Sequence, residues 1–143
     1  LRAECERQAR AEQLPVTFAG FLNQSQLPAA YAASDVLVLP SDAGETWGLV
    51  VNEAMASGRP AVVSRAVGCC ADLIVENRTG HSFACGNLVE LAHILGAYAR
   101  APELACEQGR AAAEHIRGFG LDVTAAGIAQ AVQQTCFHGE RSC

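Results

Sequence analysis

Short apolar runs alternate with longer amphipathic stretches along most of the chain. Residues 35–40 and 60–64 are almost continuously apolar, which is typical of parallel strands that are buried on both faces. Residues 80–84, which follow a turn, predict another strand. Residues 16–19 are β-prone and end at Gly20, so they predict an early strand.

The remaining stretches carry helical spacing. They predict helices over residues 1–14, 24–34, 48–57, 68–75, 87–100, 102–117 and 121–137. The helix over 48–57 has the clearest end, because Gly58 and Pro60 follow it. Pro28 fits the first turn of the helix over 24–34. Strands and helices that alternate through short loops and then give way to helices predict an α/β doubly wound parallel sheet with a helical C-terminal tail.

Composition favours one domain and argues against some partners. The chain has 143 residues, 50% of them hydrophobic, and a net charge of −5. The absence of any Lys/Arg run argues against a nucleic-acid partner. Seven cysteines, an odd number without a C-x-x-C pair, predict reduced thiols and a cytoplasmic protein. A start at Leu1, directly in a helical pattern, suggests a piece of a longer protein.

Two glutamates, Glu45 and Glu53, flank a predicted helix start. The first backbone N–H groups of such a helix, those of Gly48, Leu49 and Val50, have no partner within it and lie at the positive end of its dipole. They therefore suit an anion, most naturally phosphate. An ionised carboxylate only accepts hydrogen bonds, so the two acids suit sugar hydroxyls. The segment predicts a diphosphate site between two hydroxyl-binding acids.

These residues resemble the C-terminal, donor-binding domain of the retaining GT-B glycosyltransferases of family 4, the group 1 type. The most specific match is the E-x7-E stretch ETWGLVVNEAMASGRP, and matches at 16–21, 33–41, 72–74 and 79–80 extend the resemblance over nearly the whole chain. The resemblance implies a partial, Rossmann-like nucleotide-sugar-binding domain over residues 1–137. It would be the C-terminal half of a GT-B fold without its first two strands. Residues 138–143 are expected to be frayed.

The resemblance also implies roles at the matched positions. Glu45 would be catalytic, because it would hold hydroxyls of the transferred sugar and stabilise an oxocarbenium-like transition state. Glu53 would accept hydrogen bonds from the ribose hydroxyls. The N–H groups of Gly48, Leu49 and Val50 would bind the distal phosphate, where charge develops as the glycosidic bond breaks.

Three further positions complete the expected donor site. Trp47 stands where the family usually has Phe, and it is either a core anchor or a surface on which the donor stacks. The turn at Gly20 and Phe21 would lie near the base. The donor would be a UDP-, GDP- or ADP-sugar, and no metal is expected, because the chain has no Asp-x-Asp pair. Cys69 and Cys70 replace a pair that is commonly small, and their role is left open.

Parts of the family pattern are absent from this sequence. The family has an Arg and a Lys that hold the diphosphate, and a separate N-terminal domain that binds the acceptor. A helix dipole supplies about half an elementary charge, so we expect the chain alone to be catalytically inactive. The full-length parent would transfer a sugar, with retention, to a carbohydrate or glycolipid in the cytoplasm. A peripheral association of the parent with the inner face of the membrane is compatible with this function.

Two alternatives stay open. The first is a non-catalytic module that binds nucleotide sugars or another protein. The second is a fragment of a GT-B sugar 2-epimerase, which the stretch GLVVNEAMASGRP disfavours.

Overall fold

The computed structural model of the protein describes residues 1–137, in which a parallel three-stranded sheet lies between helices. The elements in chain order are α1 (Arg2–Ala11), α2 (Leu27–Ala33), β1 (Leu37–Leu39), α3 (Leu49–Ala56), β2 (Ala61–Ser64), α4 (Cys70–Leu73), β3 (Gly80–Phe83), α5 (Leu88–Arg100), α6 (Pro102–His115), a short 3-10 helix (Ile116–Phe119) and α7 (Leu121–Phe137). The expected frayed end at 138–143 lies outside the described residues. Within residues 1–137, none of the helices combines the length and apolar content that crossing a bilayer requires.

The sheet has the order β1-β2-β3 with all strands parallel. Leu37 is in register with Ala61, and Val62 is in register with His81. Each parallel neighbour requires a crossover. Helix α3 makes the first crossover and α4 lies in the second. The strands predicted at 35–40, 60–64 and 80–84 are therefore confirmed, with shorter ends.

Both faces of the sheet are covered, as a doubly wound fold requires. Ala61 and Val63 on one face of β2 belong to a buried cluster with Met55 of α3. Val62 on the opposite face belongs to a second cluster with Tyr98 of α5. Successive strand residues point to opposite faces, so the apolar run over 60–64 serves two cores at once.

One predicted strand does not form. Residues 16–19 have no regular secondary structure, and the side chains of Val16 and Phe18 are exposed. The resemblance places two strands before this segment, and in the order 3-2-1-4-5-6 those two would separate it from the next strand. Among the described residues, β1 pairs with β2 alone. The β-prone segment therefore has no strand beside it to pair with.

The predicted helices form; α7 has its predicted bounds, and the others are shorter at one or both ends. Pro28 lies in the first turn of α2, and the helix predicted over 102–117 ends at His115 and continues as the 3-10 helix. Helix α3 ends at a left-handed Gly58 (φ +73°). A Cβ on Gly109 would lie 2.1 Å from the carbonyl oxygen of Gly58, so α6 meets this turn with its backbone.

Candidate functional site

The start of α3 is a tight left-handed turn. Gly48 is the N-cap residue, with φ 96° and ψ 59°. A Cβ there would lie 2.9 Å from Cδ2 of Leu39, so both the backbone and the space require glycine. Val51 N–H donates to the Gly48 carbonyl at 2.9 Å. The N–H groups of Leu49 and Val50 have no acceptor within the helix, and both residues are exposed.

The backbone of the loop that carries Glu45 is hydrogen-bonded to the turn after β2. Gly68 N–H donates to the Glu45 carbonyl at 3.4 Å, and Cys69 N–H donates to the Trp47 carbonyl at 3.0 Å. A Cβ on Gly68 would lie only 1.9 Å from the carbonyl oxygen of Thr46. The half-buried Glu45 is therefore fixed through backbone contacts that leave its carboxylate uninvolved.

Trp47 is anchored at both its ring and its polar edge. The half-buried ring packs against the buried cluster that contains Met55. Its Nε1–H donates to Oδ1 of Asn52 at 2.9 Å. This geometry favours the core-anchor alternative for Trp47. A contact with the donor stays a prediction.

Glu53 lies on α3 and meets a tyrosine of α2. The Tyr31 hydroxyl donates to Oε2 of Glu53 at 2.7 Å. Burial, followed by the hydrogen bond to Glu53 and its charge, raises the pKa of Tyr31 to about 12, so the phenol stays protonated at neutral pH. A cavity of about 270 Å³ opens beside the pair. It is lined by Gln24, Leu27, Pro28, Tyr31, Glu53 and Ser57.

Gly20 and Phe21 lie on the loop before α2. Gly20 adopts a left-handed conformation with φ 75°, and the side chain of Phe21 is 92% exposed. Neither belongs to the described residues that line the cavity beside Glu53. Their contact with a base stays a prediction.

Cys69 and Cys70 are buried core residues beneath this site. Burial raises the pKa of the Cys69 thiol to about 11, with a smaller contribution from Cys70, and burial also raises the pKa of Cys70. Metal ligation and nucleophilic attack need the thiolate, which these environments disfavour. The Sγ atom of Cys69 lies 3.9 Å from the Gly48 carbonyl oxygen. Cys69 therefore packs against the turn at Gly48, and Cys70 belongs to the buried cluster.

The two arginines that follow α3 in the chain contact other groups. The chain has no lysine. Arg59 Nη2 donates to the Ala32 carbonyl at 2.6 Å, and Arg65 Nη2 donates to the carboxylate of Glu90 at 3.0 Å. The helix dipole and the N–H groups without an acceptor in the helix are the anion-binding features identified at the start of α3.

Three residues of this site were not singled out from the sequence: Tyr31, Asn52 and Gly68. Of the three, Tyr31 alone has a weak signal in the sequence. It lies in an alanine-rich helix, and a tyrosine that is buried there needs a partner for its hydroxyl. In the sequence, Gly68 is marked only by its position before the Cys pair. The contacts of Asn52 and Gly68 depend on tertiary structure.

A family model described as "Glycosyl transferases group 1" matches residues 1–100. The chain belongs to this family. Among relatives of this group 1 chain, the D-inositol 3-phosphate glycosyltransferase of Streptomyces scabiei is 36% identical over 126 residues. That match covers 88% of the chain and 28% of the relative. The sulfoquinovosyl transferase SQD2 of Arabidopsis thaliana is 49% identical over 67 residues, which cover 47% of the chain and 13% of the relative.

Solved structures of larger proteins share the fold. Sucrose-phosphate synthase from Thermosynechococcus elongatus is 27% identical with a TM-score of 0.79, over 96% of this chain and 35% of that one. HepE from Anabaena, in complex with UDP, is 26% identical with a TM-score of 0.78, over 92% of this chain and 36% of that one. These GT-B neighbours confirm the α/β class and fit a C-terminal part of that fold. The group 1 chain spans about a third of their length.

Proposed function

We propose that the chain is the donor-binding part of a glycosyltransferase that moves a sugar from a nucleoside-diphosphate sugar to a carbohydrate or glycolipid acceptor, with retention. The observation that carries the proposal is the left-handed turn at Gly48, whose open N–H groups lie between Glu45 and Glu53 in sequence. HepE, which shares the fold, was solved with UDP-glucose, which supports a nucleotide-sugar donor. The donor is a UDP-, GDP- or ADP-sugar, and no metal takes part.

Each group has a role in this proposal. The N–H groups of Gly48, Leu49 and Val50 bind the distal phosphate and stabilise the charge that develops on it during bond cleavage. Glu53 accepts hydrogen bonds from the ribose. Glu45 accepts them from the transferred sugar and stabilises the positive charge of the transition state.

Residues 1–137 would form the partial donor-binding domain, with Trp47, Gly20 and Phe21 as further donor contacts. The dipole at the start of α3 offsets about half of one charge of a diphosphate. Because the chain has no lysine and its two nearest arginines are engaged, we propose that the chain alone binds the donor weakly and does not turn it over. The acceptor is bound by a domain outside these residues. The odd cysteine count supports action in the cytoplasm.

Nucleotide titration tests the binding step. The 143-residue chain is titrated with UDP, GDP and ADP in the presence of EDTA, and the fluorescence of Trp47, its single tryptophan, is recorded. We expect weak but saturable binding that favours one base. Glu53→Gln should weaken that binding about tenfold, because it removes a charged acceptor. Glu107→Gln, at an exposed position of α6, serves as the control and should change nothing.

Several outcomes would contradict parts of the proposal. Failure of all three nucleotides to bind, or equal losses in Glu53→Gln and Glu107→Gln, would overturn the donor site. Hydrolysis or transfer of a donor sugar by the chain alone would overturn its proposed inactivity. If the chain binds a nucleotide but the longer protein transfers no sugar, the non-catalytic module would be favoured.

A further inference from the structure

The carboxylate of Glu53 is fixed by a partner from a different element. Glu53 is exposed on α3, where a long side chain samples several rotamers. The Tyr31 hydroxyl, from α2, reaches Oε2 at 2.7 Å. Tyr31 is itself only 9% exposed, so the donor of this hydrogen bond has a fixed position. The pair therefore holds Glu53 in one orientation before any ligand arrives.

A second contact also joins α2 to the end of α3. Arg59, just after α3, donates from Nη2 to the Ala32 carbonyl of α2 at 2.6 Å. Ser34 Oγ donates to the Tyr31 carbonyl at 2.9 Å and closes the end of α2. The Arg59 contact therefore holds α2, which carries Tyr31, against the end of α3.

The hydrogen bond gives the two carboxylate oxygens of Glu53 different roles. Oε2 accepts from the phenol, which stays protonated at neutral pH because burial raises the pKa of Tyr31 to about 12. Oε1 keeps its lone pairs, and a carboxylate can accept several hydrogen bonds. The cavity of about 270 Å³ beside the pair gives room for a ligand group next to Glu53.

We infer that Tyr31 is a positioning residue for ribose recognition: it holds Oε2 of Glu53 so that Oε1 accepts a hydrogen bond from a ribose hydroxyl. The inference rests on the proposed function and adds the residue that sets selectivity for ribonucleotides over their deoxy forms. Tyr31 acts through Glu53, whose Oε2 its hydroxyl holds. A preformed acceptor raises affinity, because less side-chain freedom is lost on binding.

The test compares ribonucleotides with deoxynucleotides. The 143-residue chain and its Tyr31→Phe variant are titrated calorimetrically with UDP, GDP and ADP, and with the 2′-deoxy and 3′-deoxy form of each. Tyr31→Phe keeps the ring and removes only the hydroxyl. We expect it to weaken the preferred ribonucleotide about three- to tenfold, the size of one hydrogen bond. Binding of the deoxy form that lacks the recognised hydroxyl should stay within about twofold.

Two controls separate positioning from general support. Tyr98→Phe removes the hydroxyl of another buried tyrosine, which donates to Gln108 in the core, and it should leave the ratio between ribose and deoxyribose binding unchanged. In a Glu53→Gln background, Tyr31→Phe should have no further effect on that ratio, because coupled residues do not add.

The outcomes distinguish the inference from the function on which it rests. If the chain prefers ribonucleotides and Tyr31→Phe leaves that preference intact, the inference is wrong and the donor site stands. Equal weakening of ribo and deoxy forms would show general support of the site, which also overturns the inference. If the unaltered chain binds none of the nucleotides, the proposed function fails first.

Discussion

A single glycine, Gly68, sets the position of the Glu45 loop. A Cβ at Gly68 would lie 1.9 Å from the Thr46 carbonyl oxygen, which is far inside contact distance. Gly68→Ala must therefore displace the backbone that carries Glu45 and Trp47. We expect the free energy of unfolding to fall by about 1–3 kcal/mol, the range for overpacked sites. Urea unfolding measures it, and Trp47 fluorescence reports the loop directly.

Gly118→Ala provides the matched control for this substitution. A Cβ at Gly118 meets no atom within 4 Å, so its effect should stay within about 0.5 kcal/mol. Equal stability of Gly68→Ala and the unaltered chain, with unchanged Trp47 emission, would show that the loop accommodates a methyl group. The close backbone contact would then not position Glu45.

At the residue scale, the sequence predicts the residues proposed to bind the donor better than the residues that position them. Glu45, Glu53 and Gly48 lie within one short segment, and a helix start gives a local reason for their pattern. Tyr31 lies 22 residues before Glu53, and only the approach of α2 to α3 joins them. No spacing in the sequence encodes that approach, so Glu53 could not be predicted as the partner of the Tyr31 hydroxyl.

At the scale of elements, one carboxylate joins the start of α5 to the residues that follow β2 and β3. Glu90 accepts hydrogen bonds from Ala84 N–H at 2.9 Å and from Arg65 Nη2 at 3.0 Å. The bond from Ala84, followed by Arg65 and Asn87, lowers the pKa of Glu90. Folding therefore favours ionised Glu90. Its stabilisation is present above the pKa of the unfolded chain and is lost as pH falls through the lowered pKa.

Glu90→Gln should consequently lower the urea midpoint at about pH 7, and the difference from the unaltered chain should shrink as pH falls towards about pH 3. Urea titrations across this range measure the effect. Glu107→Gln on the exposed side of α6 should give parallel curves at every pH. A gap between Glu90→Gln and the unaltered chain that is constant with pH would contradict a role for ionisation.

Element prediction succeeded where local pattern and neighbours agree. The apolar run over 60–64 is buried on both faces as β2, and Gly58 ends α3 as its position indicates. Residues 16–19 have equal β propensity but no strand beside them, so they remain irregular. A strand forms only when a neighbouring strand pairs with it, and the sequence of one segment does not show whether that neighbour is present.

At the scale of the whole molecule, α7 differs from the other helices in its lack of burial. The sequence predicts this helix over 121–137 from its alanine-rich pattern, and the structure confirms it. The pattern does not reveal whether the helix joins the core. Every side chain from 121 to 136 is exposed, including Ile128, which is 62% exposed. Helix α6, in contrast, contributes to both buried clusters through Ala105 and Ala112.

Removal of everything after Gly120 should therefore leave the core almost unchanged. Because little buried area is lost, we expect the thermal midpoint to shift by no more than about 3 °C, measured by circular dichroism. A variant that ends at Ala101 loses α6 as well, and with it Ala105 and Ala112, so its unfolding should lose cooperativity. A drop of more than about 10 °C in the thermal midpoint of the variant that ends at Gly120 would contradict the exposed arrangement of α7. A midpoint of the intact chain that rises with protein concentration would then show that α7 is covered by a second copy.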